Sequence, residues 1–389
     1  MSSDRELPSN AKAYSSDVYR QIDPVGFYGE YIRRQVRPDG RKLRAFRTVG
    51  VSDLLEGATG SGRSLGDNGT IIASVRLTAG ETHVHCTVKA VPGYSDVTIP
   101  LSPGSDNSVS VSVELPKQVQ SYIYDANGNS ANFHFCVATL LETVLNCDEV
   151  IPTTQLRFAE LLREEPGTAS PNAVCEYLVR RRFGWKLEID ILCEEYDGNL
   201  LDTSVLAASF ALRKATLPIV LLDLNDPVNP YRLLALDQGI LEQASSGDAK
   251  VCLISIVLSW SAQALKLLRS NRRAIEKQLS VELSDDNMVG QLLALGGSSM
   301  HLSRPLQLLA LPFTVTFLRF SDETYFVDPT SEEERLGASV SVYCLRGADG
   351  SSRFQPLNLM CCPGVTTDVY KCLQQAATDL IDCIANTEF

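Results

Sequence analysis

The segment FGWKLEIDILCEEYDGNLLDTSVLAASFALRKA, from Phe183 to Ala215, constrains the fold more than any other part of the chain. Leu187, Ile189, Ile191 and Cys193 alternate with other residues, which is the period of a long strand with one buried side. Asp197, Gly198 and Asn199 have turn chemistry, and Gly198 is placed where a tight connection needs positive φ. An Ala-rich helix is expected from Thr203 to Ala215, with Asp202 as its N-cap and with Leu217 and Pro218 ending it. That helix is expected to fill the core behind the strand.

Upstream, TIIASVRL (Thr70 to Leu77) and THVHCTVKAV (Thr82 to Val91) alternate in the same way and read as a hairpin closed by Thr78 to Glu81. Before it, Phe27, Tyr28, Tyr31 and Ile32 have helical spacing within Pro24 to Val36, and Arg33 and Arg34 lie near the end where cations suit the helix dipole. RPDGR (Arg37 to Arg41) stops that helix, since Pro38 presets one central turn position and Gly40 accepts positive φ at the next. A further strand is expected over Ser108 to Leu115 and a helix over Ala131 to Leu145.

Strands around Phe313 to Phe320, Glu323 to Thr330 and Ser339 to Arg346, with a helix from Thr367 to Ile384, make a second α+β unit. The chain therefore divides into a flexible tail (1–23), a first lobe (24–218), a connector with a helical insertion (219–304) and a second lobe (305–389). The insertion holds one expected helix, Ser259 to Leu279, carrying Arg269, Arg272, Arg273 and Lys277. Such a run is either a solvated helix face or a contact for RNA.

Composition narrows the function. The 389 residues include 44% hydrophobic ones, enough for sizeable cores, yet the formal net charge is −12. A surface that gripped nucleic acid along its length would be basic, so any such contact here has to be local. The 11 cysteines form no C-x-x-C pair, and with no secretory signal they indicate a reducing compartment. His83 and His85 share a strand face but have no third ligand nearby, and read as strand residues. No metal or cofactor is expected. The longest apolar run, Val251 to Trp260, is well short of the roughly 20 residues that cross a bilayer, so no membrane is expected as a partner. No phosphate-loop motif is present.

Four blocks in order carry a resemblance. RPDGR with FRTVGV (Phe46 to Val51), IIASVRLTAGETHVHCTVKA, IDILCEEYDGNLLDTSVLAASFALRKATLP and YFVDPTSEEE (Tyr325 to Glu334) resemble the RNase PH family, and the DGN turn with its following leucines is most similar to noncatalytic ring subunits of RNA exosomes. The resemblance implies an α+β RNase PH fold of two βαβ lobes of the ribosomal protein S5 domain 2 type. It implies as partners other RNase PH-type exosome subunits in a hetero-hexameric ring, S1- and KH-domain cap subunits, and RNA threaded through the assembly. It also implies a nuclear and nucleolar location, with a cytoplasmic pool.

Phosphorolysis needs cations and backbone donors to bring a phosphate nucleophile beside a phosphodiester, and an acid for the leaving oxygen. Active members of the family carry a Gly-Gly-Thr-Arg element and an arginine-rich segment. Here the first reads Gly198, Asn199, Leu200, Leu201, and the second, Leu115 to Asn132, has Lys117 as its only cation. Asp190 and Asp197 match the family's acidic positions, but as carboxylates expected to have no cationic partners they are degenerate equivalents. The expected role is assembly and not chemistry. An active phosphorolytic exoribonuclease and a free-standing RNA-binding module are the competing readings, the latter opposed by the acidic charge.

Overall fold

The structure is a computed structural model that describes residues 16–54, 69–94, 108–117, 119, 133–158, 183–222, 231–233, 235–236, 269–280, 282–283, 300–321, 324–347, 352–356, 371, 374, 375, 377 and 378. Two helices lead, α1 (Ser16–Ile22) and α2 (Pro24–Ile32). The first corrects the expectation of a flexible tail to residue 23. It escaped notice because SDVYRQI buries no residue and so shows no apolar periodicity. In α2, Pro24 opens the first turn, and the Asp23 side chain accepts a hydrogen bond from Gly26 N at 2.9 Å. Phe27, Tyr28 and Ile32 of α2 pack with Leu43, Leu318 and Phe326, which ties this helix to the second lobe.

The first lobe is built on a five-stranded sheet of order β1-β2-β3-β5-β4. Its strands are β1 (Val49–Asp53), β2 (Thr70–Ala79), β3 (Thr82–Tyr94), β4 (Val109–Glu114) and β5 (Phe183–Glu195). The β2–β3 hairpin turns on Gly80 and Glu81 alone, a tighter connection than Thr78 to Glu81, with Gly80 at φ +59°. β4 runs parallel to β5, and the crossover between them contains α3 (Phe133–Leu145), giving a βαβ unit. Leu187, Ile189, Ile191 and Cys193 all point inward, as their alternation requires. Behind them lies α4 (Leu200–Lys214), whose Ala207, Ala208 and Ala211 are completely buried. Small side chains suit this helix because it packs on β2 and β3 on one side and on the second lobe's sheet on the other.

The connector departs from and returns to one place. β6 (Thr216–Pro218) pairs with β11 (Ser303–Pro305), and β9 (Ala235–Leu236) pairs with β10 (Met300–His301); between them β7 (Val220–Leu222) and β8 (Tyr231–Leu233) form a third antiparallel pair. The insertion helix, α5 (Arg272–Leu279), lies against β11. Positions 269 and 270 are also helical, while 259–268 of the expected helix fall outside the described residues.

The second lobe's sheet has the order β13-β12-β14-β15, with β12 (Ala310–Arg319), β13 (Tyr325–Val327), β14 (Ala338–Gly347) and β15 (Ser352–Pro356). Every described pairing in it is antiparallel, so among the described residues only the first lobe displays a βαβ unit. Of the expected C-terminal helix, Lys371, Gln374, Gln375, Ala377 and Thr378 are described and all are helical, Ala377 being buried in this lobe's core.

Candidate functional site

Three of the four recognisable sequence blocks converge on one carboxylate, Asp328, just past β13, and Thr82 of the fourth bonds the Gly198 carbonyl beside it. Arg47 donates to it from its backbone N at 2.8 Å, from Nε at 3.0 Å and from Nη2 at 2.7 Å. Arg41 Nη1 adds a bond at 3.1 Å and Asn199 Nδ2 another at 2.8 Å. Burial alone would raise the Asp328 pKa; the donors, Arg47 foremost, outweigh it and hold the carboxyl below its ordinary value. Arg47 also reaches the carbonyls of Asp197 (2.7 Å) and Gly198 (3.2 Å), so one guanidinium joins the DGN turn of the first lobe to the second lobe. Asp328 and Asn199 both adopt left-handed backbone conformations, with φ of 49° and 57°, which Asp and Asn tolerate better than other non-glycine residues.

Arg37, almost wholly buried, completes the junction. It pairs with Glu333 through Nε and Nη2 and donates from Nη1 to the Val327 carbonyl at 2.8 Å and from Nη2 to that of Asp328 at 3.1 Å. RPDGR is thus more than a stop signal: Gly40 takes φ +87° to close the turn, and the two arginines flanking it clamp the second lobe. Gly198 has its expected positive φ, +83°, and a second reason to be glycine. A Cβ there would approach Pro329 O and Ser331 N at 2.5 Å.

Asp202 is not the N-cap. Asn199 occupies that position without its side chain capping the helix, and Asp202 lies inside the first turn of α4, buried, accepting from Thr316 N at 2.7 Å and Thr316 Oγ1 at 2.8 Å. The helix starts at Leu200, earlier than its Ala-rich stretch, which moves Asp202 from the helix end to the face against β12. Burial pushes its carboxyl up despite these bonds.

The acidic pair is not brought to one cluster, and neither member lacks a cation. Asp190, on the solvent side of β5, accepts from Lys89 Nζ at 2.5 Å and Ser112 Oγ at 2.7 Å, because β3 and β4 flank β5 and present those side chains on the same face. Partial burial raises the Asp190 pKa, but these two bonds prevail and the carboxyl titrates below its usual value. Asp197 instead accepts from Ser331 Oγ at 2.9 Å and lies 3.6 Å from Arg47 Nη1. The expectation of unpaired carboxylates was therefore wrong. Both neighbours are distant in sequence and invisible to local pattern.

Leu200 is buried in the first-lobe core and Leu201 packs partly against it, so at these positions the turn offers apolar carbon. Lys117 is exposed just after β4; most of the segment that follows it falls outside the described residues. His85 Nε2 lies 2.8 Å from Ser74 Oγ, and His83 Nδ1 lies 3.3 Å from Glu195 Oε2, so the two histidines engage different neighbours. Arg269, Arg272 and Arg273 gather with Arg304 around a surface cleft remote in sequence from both sites. Sequence reasoning quoted the blocks holding Arg47, Glu333 and Asp328 without singling these residues out, and took Asn199 only as a turn former. Their signal was available as charged residues beside Gly and Pro turns.

Residues 64–218 match the RNase PH model described as the 3′ exoribonuclease family, domain 1. Among solved structures, a chain of the Archaeoglobus fulgidus exosome with RNA bound to the active site is similar at 17% identity and a TM-score of 0.50, covering 95% of this chain and 97% of that one. A chain of an archaeal exosome core shares 18% identity over 94% of this chain and 96% of that one, with a TM-score of 0.47. The chain accordingly has the RNase PH fold, with residues 64–218 similar to domain 1 of the 3′ exoribonuclease family.

Proposed function

We propose that this protein is a catalytically silent RNase PH-type ring subunit of an RNA exosome, serving 3′–5′ RNA processing and decay by assembly. The observation that carries the reading is at the start of α4. Leu200 and Leu201 follow the DGN turn where a phosphate-binding hydroxyl and guanidinium would stand, and Leu200 is buried in the core. A leucine neither binds nor orients phosphate. Asp190, the remaining acid, has Lys89 and Ser112 on its two oxygens, which makes it a paired strand residue more than a poised acid. The fold shared with a chain of an RNA-bound archaeal exosome supports membership of such an assembly.

The subtype is that of ribosomal RNA-processing protein 43, on the FYGEYIRRQVRPDGR and YDGN blocks. Its partners are catalytic-type RNase PH-like sisters in a six-membered ring, S1- and KH-domain cap subunits, and RNA passing through the core. Its location is the nucleus and nucleolus, with a cytoplasmic share. The test is phosphate-dependent release of nucleoside diphosphates from oligoadenylate by the chain purified away from partners. No release is expected; release above a buffer control would establish the competing reading, an active phosphorolytic exoribonuclease.

A further inference from the structure

Helix α5 turns Ile275 into the protein, where it is completely buried, and presents cations outward. Arg269, Arg273 and Lys277 are all exposed; Arg273 and Lys277 share one face of α5, Arg269 lies in the helical turn before Asn271, and the three line one stripe of the surface. No carboxylate among the described residues lies within ion-pairing distance of these three. Arg272 differs: its Nε donates to Glu276 Oε1 at 2.8 Å, and the same oxygen accepts from Leu283 N at 3.0 Å. The Arg272 bond is the main cause holding the Glu276 carboxyl below its usual pKa, so the acid on this helix is already committed.

The stripe lines an open surface cleft whose other side carries Arg304 on β11. That side is braced. Arg304 Nη2 donates to the Gln155 carbonyl at 2.7 Å, and Gln155 and Gln307 bond each other through Nε2 to O (2.6 Å) and N to Oε1 (2.9 Å). Five cations, Arg269, Arg272, Arg273, Lys277 and Arg304, thus face one cleft in a chain whose net charge is −12. Like charges spaced four residues apart repel, and an anion in the cleft relieves that repulsion.

Among the described residues, the lining has no aromatic ring on which a base would stack. Guanidinium groups instead match phosphate oxygens two at a time. Arg273 and Lys277 are separated by a rise of about 6 Å along α5, close to the separation of neighbouring phosphates in an extended strand. We infer that this cleft holds the sugar–phosphate backbone of single-stranded RNA without regard to base sequence. The inference rests on the RNA-processing reading for its choice of polyanion, while the site itself is independent of the DGN turn and the Asp328 junction.

The experiment is fluorescence anisotropy of labelled oligouridylate and oligoadenylate with the full chain, titrated with KCl. Comparison is made with the triple variant Arg269→Ser, Arg273→Ser, Lys277→Ser and with a charge-keeping variant, Arg269→Lys, Arg273→Lys. The wild type is expected to bind both RNAs alike, with a log–log salt slope of about −2 if the three stripe cations each neutralise one phosphate. The triple variant is expected to lose affinity by on the order of tenfold with a flatter slope, and the lysine variant to retain most of it. Unchanged affinity in the triple variant overturns the inference. So does equal binding of polyglutamate, lost in the same variant, which would make the cleft a dock for acidic proteins.

If the triple variant fails to fold, photocrosslinking of thiouridine-substituted RNA to the wild type decides. Adducts within 269–277 support the site, and adducts only elsewhere overturn it. A chain that binds RNA here but joins no ring contradicts the proposed function alone; a chain that joins a ring with a cleft indifferent to RNA contradicts this inference alone.

Discussion

Asp328 holds the two lobes through a charge that only the folded chain stabilises. Replacing it with Asn leaves the Arg47 and Arg41 guanidiniums in a largely buried site without their anion, a loss on the order of 3–5 kcal/mol. Chemical denaturation should show this as a lower midpoint. The pH dependence follows from the same pairing. Because the folded carboxyl titrates below its unfolded value, its stabilisation is complete above about pH 4 and is lost as pH falls through the folded value. Thermal melts below pH 4 should therefore converge for wild type and Asp328→Asn, and a gap that persisted undiminished in acid would count against the ion pair. Asp202→Ala tests a different bond. As a cap it would have cost about 0.5–2 kcal/mol. As the buried acceptor for Thr316, its removal orphans a backbone N–H and is expected to cost about 1–3 kcal/mol. A double-mutant cycle with Thr316→Val should show coupling, whereas a cap would show none.

At the scale of elements, the alternation along β3 and most of β5 told which face is buried, whereas in β2 a bulge between Ile71 and Ala73 breaks the period and Ile72 to Val75 are all buried. The alternation did not tell which residue sits across from which. Lys89 and Asp190 are 101 positions apart, and Asp202 and Thr316 are 114 apart, so no local period links them. The misread Asp202 shows the same limit: an Asp ahead of an Ala-rich run fits a cap, and only the earlier helix start at Leu200 moves it inward. The insertion, by contrast, was legible as a break between two patterned regions. Its ends are sewn by the antiparallel β6–β11 and β9–β10 pairs, with Leu236 opposite Met300. Excising the residues between those two and closing the gap with a short Gly-Ser turn is expected to leave both lobes folded. The melting temperature should fall by only a few degrees, and an unfolded product would show that the insertion carries core structure.

At the scale of the molecule, the family blocks identified the fold because they are the residues that hold its lobes together. Arg37, Arg47, the DGN turn and the VDPT segment meet at one junction, where their donors and acceptors bond one another. On the proposed function, motif and catalysis are separate: the junction keeps the fold, while Leu200 and Leu201 stand where that proposal expects phosphate to have been held. On that proposal the chain contributes shape and interfaces to an assembly whose chemistry resides in its neighbours. The most direct test introduces Asp190→Asn into the reconstituted ring and measures RNA decay by the whole complex alongside its composition and stability. The account predicts decay, composition and melting close to those of the wild-type complex. Abolished decay in a complex of unchanged composition and stability would contradict it and make the β5 carboxylate a working catalytic group.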